Sequence, residues 1–359
     1  MFEVPTLSWL IPAGGFVIAA VFGATARRSG FCTMGAISDV VLMGDLVRLR
    51  MWVLAMAVAI AGAQALHVFG LVDLSQSLYT GSRLTVVSHL AGGLLFGIGM
   101  TLASGCGARN VVRAGAGNLK AVVVLVVLGV VAAMTLRGVL AVPRTAWLDT
   151  WSLRLSAGQD LPRLVGESSR AWIAAFIVSV MMAWCWRDSA FRRSVRAWSS
   201  AVLIGALVVA GWYLTGHVGF ISEHPDTLEA VFVGTQSHRP ESLTYVAPVA
   251  HVLDLLMLWT DASLKPTFGV AIVAGAAFGS WADAVATKSF RWESFASSAD
   301  LKNHLAGAAL MGFGGVTALG CTVGQGLTGI STLAAGSLLT VAAIVTGCVL
   351  TLRFWIARG

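Results

Sequence analysis

Three cysteines close short glycine-bearing motifs: GFC at 30–32, SGC at 104–106 and LGC at 319–321. Gly-Cys-Gly at 105–107 and Gly-Cys-Thr at 320–322 can each end one helix and begin another, because glycine reaches backbone angles closed to other residues. Counted forward as a helix, Cys106, Arg109, Asn110 and Arg113 fall at i, i+3, i+4 and i+7. Cys321, Gly324, Gln325 and Thr328 repeat that spacing. Each set shares one helical face. A helix start carries unpaired N–H groups and about half a positive charge, so it attracts anions. Asn110 and Gln325 would add neutral donors, and Arg109 or Arg113 a positive charge. The anion-binding set read from the sequence is Gly105, Gly107, Arg109 and Asn110 in the first motif. In the second it is Gly320, Thr322, Gly324, Gln325 and Gly326.

The choice of thiols narrows the chemistry. A thiol is a weak, polarizable donor, poorly matched to a hard oxyanion and better suited to a soft anion with a terminal sulfur. Beside a dianion in a dry path the neutral thiol is favoured over the thiolate, so Cys106 and Cys321 read as hydrogen-bond donors rather than nucleophiles. Cys32, between Arg27–Arg28 and Thr33, reads either as a buried cysteine at a turn or as the cytoplasmic end of the same path. Cys185 and Cys348 lie within apolar runs and read as packing residues. The spacings fit neither a zinc site nor a CxxC pair, and an odd count argues against a disulfide framework. No metal or nucleotide motif is present, so no metal and no cofactor is expected.

The elements that must position these residues are membrane helices. The chain has 359 residues, 57% hydrophobic and 11% charged, against about 25% charged in soluble domains. So little charge cannot coat a soluble surface, and the fold class is an all-α polytopic membrane protein in the lipid bilayer. The net charge of +7 comes from Lys and Arg flanking apolar segments, the positive-inside bias. It forms no basic face for nucleic acid, so no nucleic-acid partner is expected. Runs long enough to span fall near 7–24, 51–71, 86–105, 121–141, 171–186, 201–215, 267–284, 304–320 and 338–356, which predicts about nine transmembrane helices with short re-entrant helices between them. The piece from Val246 to Trp259, interrupted by His251 and Asp254, reads as interfacial or re-entrant. Basic clusters at 27–28, 48–50, 109–120, 187–196 and 288–302 mark inside segments. The stretch 216–241, with Glu223, Asp226, Glu229 and Glu241, reads as outside. The N-terminus is then outside and the C-terminus cytoplasmic.

An internal repeat organises the chain. HLAGGLLFGIGMTLASGC at 89–106 aligns without gaps to HLAGAALMGFGGVTALGC at 304–321, with a histidine at the start and a cysteine at the end of both. On the predicted topology the copies run in opposite directions, the inverted arrangement that sets a transporter's site at the repeat interface. A weaker echo joins 19–31 to 275–290, without a cysteine where Cys32 would fall. The expected organisation is one transport domain over 1–359. Its first repeat half is 1–141, with GFC and SGCGARN. Outside loops and two linking spans occupy 142–248, and the second half is 249–359, with GCTVGQGLTG. The loops at 142–170 and 216–248 read as an external vestibule, a partner surface or a cap.

With GFC at 30–32, SGCGARN at 104–110, GCTVGQGLTG at 320–329 and the two HLAG segments, the sequence resembles the YeeE/YedE family of sulfur-transport membrane proteins. The motifs spread over the whole chain. The resemblance implies thiosulfate uptake through an hourglass of inverted halves in the bacterial inner membrane. It also implies three essential cysteines that pass thiosulfate inward: Cys321 towards the outside, Cys106 at the centre, Cys32 towards the cytoplasm. It suggests a small cytoplasmic TusA-like sulfur carrier as partner. The alternatives are transport of another sulfur or selenium anion, or a membrane sulfurtransferase that forms a cysteine persulfide. The latter needs a base near its nucleophile. His89 and His304 lie seventeen residues before their cysteines, about 25 Å along a continuous helix. A transporter, not an enzyme, is expected.

Overall fold

The structure, a computed structural model, describes residues 4–156, 158–223, 228–261 and 263–357; Asp226 and the first three residues lie outside them. Among the described residues thirteen helices, besides a few of five residues or fewer, carry the architecture. They are α1 (Val4–Ser29), α2 (Thr33–Met43), α3 (Val47–Val68), α4 (Val86–Leu102), α5 (Gly107–Gly115), α6 (Leu119–Arg137), α7 (Arg170–Trp186), α8 (Val195–Tyr213), α9 (Ala247–Met257), α10 (Phe268–Ala286), α11 (Ser298–Thr317), α12 (322–331) and α13 (Ala335–Ile356). Within α12 the segment Gly324–Gly329 is π-helical. Two short antiparallel strand pairs, Arg83–Leu84 with Leu153–Arg154 and Phe220–Ile221 with Val231–Phe232, complete the picture. The chain is an all-α polytopic membrane protein.

Among the described residues eight helical segments are long and apolar enough to span, not nine. The segment that falls short is the one expected at 304–320. It belongs to α11, whose first turns carry Asp300, Lys302 and Asn303 and lower its hydropathy. α11 is nevertheless 20 residues long and packs between α4 and α6. The 11-residue α9 is too short to cross, as the interrupted sequence suggested, and its Asp254 pairs with Arg137 and lies 3.5 Å from His251.

Packing between α4 and α11 rests on glycine. A Cβ on Gly92 would meet the Gly314 carbonyl at 2.8 Å, and one on Gly99 the Gly307 carbonyl at 2.6 Å. Early residues of one helix thus meet late residues of the other, so the pair is antiparallel. The contacts are reciprocal, since Gly92 aligns with Gly307 and Gly99 with Gly314. Farther out, Gly97 presses on the Ile344 carbonyl of α13, while Gly312 presses on the Leu128 carbonyl of α6. Leu119 N–H donates to the Glu293 carbonyl at one end of the molecule, and Ala335 N–H to the Gln159 carbonyl at the other.

The loops are less peripheral than their sequence suggests. Residues 159–161 are pinned to the start of α13, and Arg170 is buried in contact with Asp160 at 2.6 Å and the Gln64 side chain at 3.0 Å. Residues 242–246, expected at the end of an outside loop, instead enter the core. Leu243 and Tyr245 are fully buried, and the Leu243 carbonyl accepts from Thr328 Oγ1 at 2.7 Å.

Candidate functional site

Each of the three motif cysteines stands immediately before a helix: Cys32 before α2, Cys106 before α5 and Cys321 before α12. The two repeated breaks have the same backbone path. Ser104 (φ 55°) and Leu319 (φ 59°) turn left-handed, and Gly105 (φ 157°) and Gly320 (φ 158°) follow. An L side chain at those glycines would be strained, and the first would also press on the Arg109 side chain.

The sulfurs receive helix-start N–H groups. Gly35 N–H points at Cys32 Sγ at 3.4 Å, and Gly324 N–H at Cys321 Sγ at 3.4 Å. The amides of Tyr245 and Val323 and the Thr244 hydroxyl also surround Cys321 Sγ. Cys106 interacts electrostatically with both other cysteines and has the Thr322 hydroxyl beside it. Exposure falls from 8% at Cys32 to 3% at Cys106 and 0% at Cys321. Cys32 and Cys106 line one narrow cavity together with Thr33, Trp52 and Arg109. Cys185 and Cys348 are fully buried and lie apart from this cavity. Thr101 Oγ1 reaches Cys348 Sγ at 3.2 Å.

Arg109 lines the thiol cavity and also two larger cavities of about 870 Å³ and 640 Å³ that share Arg27, Arg113 and Ala116. Arg28 and Arg196 line the first, Lys288 and Arg291 the second. Against these seven cations stand Asp283, paired with Arg27 (2.6 Å) and Arg28, and Glu293, bound by Asn118 (2.5 Å) and Arg291 (3.0 Å). The Arg109 guanidinium has no hydrogen bond or ion pair among the described residues. Glu293, in the loop before α11, feels burial that would raise its pKa, but the Asn118 and Arg291 hydrogen bonds bring it below the usual carboxylate value.

The amides of Asn110 and Gln325 do not do what the sequence suggested. Asn110 Nδ2 donates to the carbonyls of Gly105 (2.9 Å) and Cys106 (3.1 Å), and Gln325 Nε2 to that of Ala318 (2.5 Å). Only a donor can face a carbonyl, so both NH₂ groups brace the chain break rather than face the path. Gly107 and Gly326 lie in the same shell: a Cβ on Gly107 would meet the Tyr245 carbonyl at 3.6 Å and one on Gly326 the Trp52 ring at 3.1 Å. The histidines are likewise committed elsewhere, His89 Nδ1 to Thr340 Oγ1 at 2.7 Å and His304 Nδ1 to the Asp300 carbonyl at 2.8 Å. Sequence reasoning missed Tyr245 and Trp52, which sit at the thiols from a loop and from α3. No local pattern marks either of them.

The model of the family described as Sulphur transport matches residues 28–350. The thiosulfate transporter TsuA of Escherichia coli strain K12 is 24% identical over 334 residues, covering 87% of this chain and 86% of that protein. TsuA of Spirochaeta thermophila is 25% identical over 337 residues, covering 90% and 93%. The matched region contains all three breaks with their thiols, and the chain belongs to the Sulphur transport family.

Proposed function

We propose that the protein is a transporter of the bacterial inner membrane that takes up thiosulfate into the cytoplasm along Cys321, Cys106 and Cys32. The observation that carries this reading is the proximity of three thiols at helix starts, two of which line a narrow cavity that shares Arg109 with the two larger basic cavities, the vestibule. The anion is held at each station by N–H groups of a helix start and by a neutral thiol facing its terminal sulfur. No covalent bond forms, and the anion leaves past Arg109 into the vestibule. The names of the two TsuA relatives support thiosulfate over other sulfur or selenium anions.

The vestibule is the cytoplasmic end by the positive-inside bias, which sets the start of α1 outside. α4 and α13 run parallel from the other side, so the C-terminus is cytoplasmic. The reciprocal contacts of α4 with α11 and of Gly97 and Gly312 with α13 and α6 support two inverted halves, because such exchange is what a twofold produces. The acceptor at the vestibule is a small TusA-like sulfur carrier.

Uptake of labelled thiosulfate by Cys32→Ala, Cys106→Ala and Cys321→Ala variants tests the path. Each is expected to fall to background, and full uptake by all three removes the relay. Mass spectrometry after exposure to thiosulfate separates transport from sulfur transfer, since a persistent persulfide on Cys106 belongs only to the latter.

A further inference from the structure

Many buried polar side chains in this protein are satisfied internally. Thr101, Thr215, Thr317 and Thr328 bond main-chain carbonyls, and the buried indole of Trp212 reaches Ser331 Oγ at 3.0 Å. Thirteen buried side-chain atoms among the described residues have no partner, and six belong to Thr33, Trp52, Asn110, Tyr245, Thr322 and Gln325, beside the three thiols. The Asn110 and Gln325 atoms are acceptor oxygens, left over once their NH₂ groups brace the breaks. The other four groups can donate, and a buried donor without an acceptor requires an explanation.

Their placement supplies one. Tyr245 is fully buried, stacks on Phe22 with ring centroids 5.6 Å apart, and interacts electrostatically with both Cys321 and Cys106. The Thr322 hydroxyl stands beside Cys106. Trp52 is 5% exposed, stacks on Phe31 at 4.7 Å, and lines the Cys32–Cys106 cavity with Thr33. Both rings are fixed by aromatic neighbours, so their polar atoms are held in position rather than left to rotate.

We propose two unassigned binding subsites for the transported anion. One lies between Cys321 and Cys106, with Tyr245 Oη and Thr322 Oγ1 as donors. The other lies between Cys106 and Cys32, with Trp52 Nε1 and Thr33 Oγ1 as donors. The inference rests on the transport reading above. Hydroxyl and indole hydrogens are harder donors than a thiol, so they bind oxygen while the thiols face sulfur. The ligand class is an anion with both ends, an oxyanion carrying one soft terminal atom. Sulfate has no soft end and a bare sulfide has no oxyanion end, and neither satisfies both donor types.

The test uses Tyr245→Phe and Trp52→Phe, which keep the rings and remove the donors, with Thr322→Val as a further isostere and Cys106→Ala as the control. Purified variants are compared by thermal unfolding with and without thiosulfate, and by thiosulfate uptake in proteoliposomes. In the absence of thiosulfate, loss of an unpartnered donor leaves the unfolding temperature unchanged or raises it. Thiosulfate uptake is expected to fall about tenfold or more in both aromatic variants, as for a lost bond to a charged group, and the stabilisation by thiosulfate to shrink with it. Wild-type uptake by both aromatic variants, with Cys106→Ala inactive, overturns the subsites and leaves the thiol path standing. Wild-type uptake by Cys106→Ala as well overturns both. A lowered unfolding temperature without thiosulfate overturns the assignment, because it makes the hydroxyl or indole structural.

Discussion

Asn110 is a brace with two jobs, since one NH₂ group holds the carbonyls on either side of the Gly105–Cys106 bond. Replacing it by Ala strands the Gly105 carbonyl in a buried site, at about 1–3 kcal/mol for an unsatisfied group, while the Cys106 carbonyl keeps the backbone N–H of residue 110 at 2.9 Å. Asn110→Ala is therefore expected to lower the thermal unfolding temperature in detergent and to abolish uptake together. Gln325→Ala, which frees the carbonyl of Ala318, is expected to destabilise by a similar amount. Equal unfolding temperatures for wild type and Asn110→Ala would remove the brace. The thiols differ in the opposite sense. Cys32→Ala loses a single 3.4 Å N–H contact to sulfur, so it is expected to unfold close to wild type while losing transport.

At the scale of elements, the α4–α11 crossing fixes how the two breaks face each other, because both helices end at a cysteine. Gly99→Val or Gly307→Val drives a side chain into the opposing backbone, and overpacking of this kind costs about 1–3 kcal/mol. The two variants are expected to lose similar thermal stability, as partners in one reciprocal contact, and a large disparity between them counts against that reciprocity. The repeat 89–106 and 304–321 marked the glycines involved but not the crossing, since it aligns Gly92 with Gly307 and Gly99 with Gly314, whereas Gly92 meets Gly314 and Gly99 meets Gly307. The positions of Cys106 and Cys321 at helix starts were legible, because glycine and cysteine at a break are local signals, whereas Cys32 was read at a turn and stands at a helix start. The roles of Asn110 and Gln325 were not, because spacing gives a helical face but not the direction in which an amide spends its hydrogens. Tyr245 was invisible for another reason. It belongs to a stretch whose neighbours, Glu241 and Ser242, look like an exposed loop until Ser242 Oγ finds the Val208 carbonyl at 2.7 Å and Thr215 Oγ1 the Glu241 carbonyl at 2.6 Å. α11 was read as a span at 304–320, and the structure extends it back to Ser298, where Asp300 binds Lys120 at 2.7 Å.

The whole molecule is graded from end to end. With exposures of 8%, 3% and 0% for Cys32, Cys106 and Cys321, a small charged thiol reagent applied from the vestibule side is expected to modify Cys32 first and Cys321 last. Mass spectrometry of time points reads the order, and early labelling of Cys321 would reverse the proposed direction of opening. The vestibule has an electrical consequence as well. Neither carboxylate nor imidazole hydrogen-bonds any of the three thiols among the described residues, so nothing at the thiols carries a compensating proton with the anion. A dianion moving inward on such a route carries two bare charges against a membrane that is negative inside, at about 2.3 kcal/mol per charge for each 100 mV. That is about 4.6 kcal/mol, more than three powers of ten in concentration. In proteoliposomes, an inside-positive diffusion potential is expected to accelerate thiosulfate uptake and an inside-negative one to suppress it, and indifference to voltage would mean a co-transported cation. The seven cations around the vestibule offset part of this hill at the place where the anion arrives. They cannot do so for an accumulated pool, so on the proposed inward route sustained flow would depend on chemistry in the cytoplasm that consumes the anion as soon as it is delivered.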